Sequence, residues 1–128
     1  MIRRASRDQR GSMAIEFMLV MSMLLVVFLL MLQYALKVHA ERVANAAADQ
    51  ALAAASAYDG SEADGKAAGR SYLADSGRAL LHPSISVTRT ANVASATVTG
   101  DVTPFIPFLP VSVSVHVEGP VEKFVPAP

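Results

Sequence analysis

Hydrophobic and polar positions divide this chain into three regimes. From Phe17 to Leu32 no residue is charged and Ser22 is the only polar one. Gln33 and Tyr34 sit at the far edge, and counted to Leu36 the apolar stretch is 20 residues long. As a helix that stretch spans about 30 Å, the thickness of a bilayer core. A soluble helix this apolar would need a cover that so small a chain cannot supply, so the pattern predicts a membrane span. Residues 38 to 57 then hold no Gly and no Pro, and nine of the fourteen from Ala44 to Ala57 are Ala. Alanine is the best helix former, so one helix is expected from about Ser12 to Ala57, roughly 70 Å long. Asp59-Gly60 should end it.

A second, shorter helix is expected over about 62–76. Ser61, Glu62 and Asp64 suit its first turn, and Ala67, Ala68, Tyr72 and Leu73 offer an apolar face. Gly65 and Gly69 weaken it, Gly77 should stop it, and His82-Pro83 marks a further break. The remainder alternates at the period of strands. Ile85 and Val87 form one run, with Arg89 as its next inward position. Val93 to Val102 form a second, with Gly100-Asp101 as turn residues near its end. Val111, Val113, Val115 and Val117 form a third. Pro104-Phe-Ile-Pro-Phe-Leu-Pro110 cannot enter a central ladder and reads as an apolar hairpin connection. The tail from Val121 to Pro128 reads as loose.

The expected class is therefore α+β. A long N-terminal transmembrane helix continues outside the membrane, followed by a short second helix and a small antiparallel sheet of about three strands. Five segments follow: a basic leader (1–11), the span (12–36), an Ala-rich extension (37–58), the second helix with its connections (59–83) and a small β region with its proline-rich connection and tail (84–128).

Charge adds orientation. Arg3, Arg4, Arg7 and Arg10 stand before the span against Asp8 alone, whereas Lys37 and Arg42 behind it are offset by Glu41. Positive flanks stay inside, so the N-terminus is expected in the cytoplasm and residues from about 37 onward across the membrane. The four arginines read as this orientation signal and not as a nucleic-acid patch, since Lys plus Arg and Asp plus Glu are both 11. With no Cys there is no disulfide, zinc-thiolate site or thiol nucleophile. With no Trp and few aromatics, a large aromatic pocket is not expected. His39, His82 and His116 lie far apart in unlike contexts, and Asp59, Glu62 and Asp64 lack the spacing of a calcium loop, so no metal and no cofactor are expected. No constellation points to an enzyme or to a small-molecule substrate.

The chemistry concentrates at Arg10-Gly11-Ser12-Met13-Ala14-Ile15-Glu16-Phe17. One carboxylate, Glu16, enters the membrane end of the helix, where an ionised group costs a few kcal/mol and usually has a task. A cut after Gly11 would give Ser12 a new α-amino group, one helical turn from Glu16. The same carboxylate could instead neutralise the amine of a neighbouring chain, or lie at headgroup level as an ordinary interfacial acid. The motif resembles the processing site of type IVb, or Flp/Tad, prepilins: a short basic leader, Gly at the cut, Glu at the fifth mature position and an aromatic next. Gly11, Glu16 and Phe17 match it position by position. The run from Arg10 to Val20 is further similar to the opening of TadE-like proteins, the minor pseudopilins of tight-adherence systems. Ser22 and several Met stand where that family often has a proline, which leaves the straightness of the helix open.

The resemblance implies cleavage after Gly11 by a separate, membrane-embedded prepilin peptidase. It implies the cytoplasmic (inner) membrane, and a structural role in assembling a Flp-type pilus or related secretion apparatus. The implied partners are a sister pseudopilin and an ATPase-driven inner-membrane platform, with or without entry into the surface fibre. Subunit contacts would run through the apolar span and the Ala-rich section. Two other readings stand beside it: a plain single-pass anchor with a small binding domain outside, and a module secreted after cleavage at Val38-His39-Ala40. Phe105, Ile106, Phe108 and Leu109 have two readings of their own, a plug over the sheet or a patch where a partner docks.

Overall fold

The computed structural model describes residues 2–76 and 78–123, with side chains from Gln9 onward. The order is α1 (Ile2–Ser56), α2 (Glu62–Asp75), β1 (Leu81–Arg89), β2 (Val93–Asp101) and β3 (Ser112–Pro120). The strands form one antiparallel meander, β1-β2-β3, so the α+β architecture holds. Helix α1 starts ten residues earlier than expected and passes through Gly11 unbroken. It also passes through Ser22, whose hydroxyl donates to the Met18 carbonyl at 2.7 Å. That bond meets the polar demand of a hydroxyl in an apolar helix without interrupting the ladder.

Only the distal part of α1 belongs to the folded domain. Ala40, Ala44, Ala47, Ala48, Ala51 and Ala55 are completely buried, a stripe at helical spacing facing α2 and the sheet. The Ala-rich section was expected to serve neighbouring subunits; these alanines are instead consumed by the chain's own core. Helix α2 meets them with its glycines. Its buried residues are Gly65, Gly69 and Leu73, whereas Ala67 is exposed and Ala68 and Tyr72 are half-buried. A Cβ on Gly65 would lie 2.8 Å from the Ala51 carbonyl oxygen and 2.9 Å from both Ala55 Cβ and Val87 Cγ1. The glycines that looked like weak points in a helix are thus the points of closest approach between two helices. The central strand repeats the pattern, burying Ala94, Ala96, Val98 and Gly100. Among the described residues Val98 is the largest completely buried side chain, so the core relies on backbones brought close together and not on bulk.

Several local expectations shift. His82-Pro83 does not break the chain; it makes an irregularity in the register of β1 between Leu81 and Ser84, with His82 at φ 49°. Proline is tolerated there because β1 is an edge strand. Gly100-Asp101 lie within β2, not in a turn, and Gly100 leaves room for Leu80. Ser61 caps α2, its hydroxyl oxygen accepting from the Asp64 N–H at 3.1 Å, and the helix closes at Ser76; Gly77 lies outside the described residues. The start of the tail is docked: Val121 is buried, its N–H donates to the Asn92 carbonyl, and the Glu122 N–H donates to the Ser56 carbonyl. Residues 124–128 lie outside the described residues.

Helix α1 has no basic residue in its last turn. Arg89 of β1 supplies the cation from across the fold. Its Nη1 donates to the carbonyls of Ala55 at 2.5 Å, Ala57 at 2.9 Å and Gly60 at 2.5 Å. Its own N–H donates to Glu62 Oε1 at 3.0 Å. One guanidinium therefore satisfies orphan carbonyls at a helix end and faces the negative pole of the dipole. Hydrogen bonds to charged groups contribute about 1.5–3 kcal/mol each, less than additively when one donor is shared. Arg89→Met is expected to lower domain stability by about 3 kcal/mol, with Arg89→Lys recovering part of it, as read by denaturant unfolding in detergent.

Candidate functional site

The half of α1 outside the domain holds the sequence-predicted motif. From Gln9 to Phe28 every residue is exposed. This helix is long and apolar enough to cross a bilayer, and none of its most apolar window is buried against the rest of the chain. That exposure distinguishes it from the core helix of a soluble protein. Met18, Met23, Leu24, Leu25, Phe28 and Met31 each leave more than half of their surface open, as lipid contact requires.

Gly11, Ser12, Glu16 and Phe17 lie on consecutive turns of this free helix. Nothing lies within 4 Å of a Cβ built on Gly11, so its lack of a side chain has no packing reason in the fold. Glu16 is exposed and, among the described residues, has no hydrogen-bond or salt-bridge partner. Phe17 is 65% exposed. Arg10 is exposed; Arg3, Arg4 and Arg7 fall in the first turns of α1, with side chains outside the described ones. The motif thus stands on one helix with no group from the folded domain beside it. A partner for Glu16 would have to be a new amine at Ser12 or a group of another molecule.

A second element meets the span at its far end, where sequence reasoning placed nothing. Gln33 is the only polar or charged residue buried among the described ones, at 3% exposure. Its Oε1 accepts from the Phe105 N–H at 2.8 Å, and its Nε2 donates to the Thr103 carbonyl at 3.3 Å. The signal that could have found it was a lone amide closing an otherwise apolar run. Through Gln33 the proline-rich connection is tied to the helix where the apolar stretch ends. Phe105, Phe108 and Leu109 are 51%, 89% and 44% exposed and Ile106 is half-buried, so the connection does not plug the sheet.

The other candidates separate. His39 is exposed on α1. His82 lies 3.8 Å from Asp101, and His116 on β3 lies 2.8 Å from Thr97 Oγ1 and 3.8 Å from Glu118. Glu62 engages the Arg89 backbone and Asp64 sits in the capped first turn of α2. Ala40, the rival cleavage point, is completely buried in mid-helix within the core cluster, against which Leu36 also packs. A cut there would divide the helix that carries the domain. An open groove of about 470 Å³ lies between α1, α2 and β1, lined by Val43, Arg70, Leu73, Leu80 and Ile85 among others.

Comparison with known proteins agrees with the motif. Residues 11–52 match the family described as TadE-like protein. The match opens on Gly11 and ends within the Ala-rich part of α1. Nothing among the curated proteins or the solved structures matches the chain.

Proposed function

From the premise that residues 11–52 are TadE-like, we propose that this membrane-anchored chain is a minor pseudopilin. In this reading it is a structural subunit in the assembly of a Flp-type pilus or related secretion apparatus. A prepilin peptidase cuts it after Gly11, the mature chain begins at Ser12, and Glu16 becomes the fifth residue. The N-terminus faces the cytoplasm and the small α+β domain stands outside the inner membrane. Partners are the peptidase, other pilin-like subunits and the inner-membrane platform.

The observation that carries this reading is Gly11, with Glu16 five positions on, on an exposed apolar helix that the chain does not cover. The spacing has a physical use. A peptidase must draw the scissile segment out of the helix, and glycine lowers the cost of that opening by about 1 kcal/mol relative to alanine. The open space around Gly11 leaves the bond accessible. Glu16 lies far enough along to remain in the helix while the cut is made.

N-terminal sequencing of the protein from its native membrane tests the reading directly. A start at Ser12 is expected. A start at Met1 would favour a plain anchor whose outer domain binds a ligand, and a start at Glu41 would favour a secreted module. Gly11→Leu, which restores helix propensity and adds bulk beside the bond, is expected to leave most of the precursor uncut. It should not alter the thermal unfolding of the distal domain, which Gly11 does not touch.

A further inference from the structure

We propose that the Pro104–Pro110 loop is a foot that rests in the outer interface of the same bilayer that α1 crosses, seating Phe105, Phe108 and Leu109 among lipid headgroups and upper acyl chains. The inference rests on the reading of α1 as a membrane span.

Position is the first argument. Gln33, directly after the uncharged run Phe17–Leu32, holds Thr103 and Phe105 through both ends of its amide. The loop is therefore fixed at the height where the span leaves the hydrocarbon. Tyr34, the next residue of α1, is 69% exposed at the same level. Aromatic side chains at that depth are the recurrent anchors of membrane proteins, with an apolar body in the acyl region and a polar edge at the headgroups.

Chemistry is the second. No Asp, Glu, Lys or Arg occurs between Asp101 and Glu118. Phe108, at 89% exposure, is the most open of the large apolar side chains in the described residues. An apolar tip this bare, continuous with a lipid-facing helix, is accounted for by the surface that the helix already enters.

The backbone is the third. A segment entering the interface must carry few unpaired N–H groups. Residues 103–110 include three prolines, which have none. Of the five others, the Phe105 N–H donates to Gln33 and the Leu109 N–H donates to the Ile106 carbonyl at 3.1 Å, which leaves those of Thr103, Ile106 and Phe108 to headgroups and interfacial water. The neck is closed by the Val102 N–H donating to the Val111 carbonyl at 2.9 Å. The foot, together with the span, fixes the tilt of the domain over the bilayer.

The chain has no Trp, so single substitutions report on depth without background. Full-length chains carrying Leu25→Trp, Phe108→Trp or Ala91→Trp are reconstituted in phosphatidylcholine–phosphatidylglycerol vesicles with lipids brominated near the top of the acyl chain or deeper. Leu25→Trp lies in the span and Ala91→Trp in the β1–β2 turn at the opposite end of the sheet. Phe108→Trp emission should fall roughly twofold or more with the shallow label and less with the deep one, while Ala91→Trp stays unquenched. If Leu25→Trp is quenched and Phe108→Trp is not, the foot is wrong and the span stands. Blue-shifted but unquenched Phe108→Trp emission would show a protein covering the tip, and would overturn the lipid assignment. Absence of quenching at Leu25→Trp would remove the span itself, and the foot with it. Phe108 is too exposed for its replacement to disturb packing, so folding is not at issue.

Discussion

A Glu16→Ala chain is expected to insert, to fold and to accumulate at least as well as the parent, yet to lose about tenfold or more of its incorporation into assembled subunits. The two effects separate because they depend on different groups. Glu16 touches nothing in the folded domain, so its removal takes no contact from the core. Burying an ionised carboxylate in the bilayer is unfavourable by about 3 kcal/mol near the helix centre and less towards the ends, so alanine should ease insertion. What alanine removes is a charge available to an amine, whether that of Ser12 in the same chain after cleavage or that of a neighbour. A tenfold loss corresponds to about 1.4 kcal/mol of missing interaction, modest for a charge pair shielded from water. The measurement is the fraction of chain recovered with the other pilin-like subunits after crosslinking in native membranes, normalised to the amount inserted. Glu16→Gln keeps the shape without the charge and should behave like alanine. Wild-type recovery of both variants would leave Glu16 as an ordinary interfacial acid and remove the assembly role.

The second large effect concerns two helical glycines that look alike in the sequence and should respond in opposite ways. Gly11→Ala adds a methyl group to open space and is expected to strengthen the local helix by about 1 kcal/mol. Gly65→Ala gains the same propensity but drives its Cβ to 2.8 Å from a carbonyl oxygen of α1 and 2.9 Å from two carbon atoms. Overpacking of this kind costs about 1–3 kcal/mol, enough to cancel or exceed the gain. Gly65→Leu cannot be accommodated without parting α2 from α1, and should lower domain stability by more than about 3 kcal/mol. Gly69 is somewhat looser, with Ile85 Cδ1 at 3.0 Å, a side-chain tip that can move, so Gly69→Ala should be milder than Gly65→Ala. Chemical denaturation of the four variants in detergent, followed by circular dichroism, ranks them. A Gly65→Leu chain as stable as the parent would mean that the helices pack elsewhere.

The same glycines mark where sequence reasoning reached its limit. The span, the long helix, the capped second helix and the three strands were legible, because each follows from periodicity, propensity and capping within a short window. The family resemblance was legible for the same reason: Gly11, Glu16 and Phe17 are read by their linear spacing, and residues 11–52 match the TadE-like family on that stretch. All three lie exposed on one free helix, and no long-range contact among the described residues touches them.

What lay beyond the sequence depended on residues distant in the chain. Gln33 looked like the ragged end of an apolar run; only the fold brings Thr103 and Phe105 to it, 70 or more positions away. Arg89 looked like an inward position of a strand; only the sheet's packing sets its guanidinium over the end of α1. The alanines of α1 looked free for a neighbour until α2 and β2 presented their own small residues and closed over them. The sequence alone determined which segments cross, coil or pair, since those choices rest on local free energies. The tertiary structure decided which small residues become a core and which polar groups become tethers, because close packing and buried hydrogen bonds exist only once the partners have met.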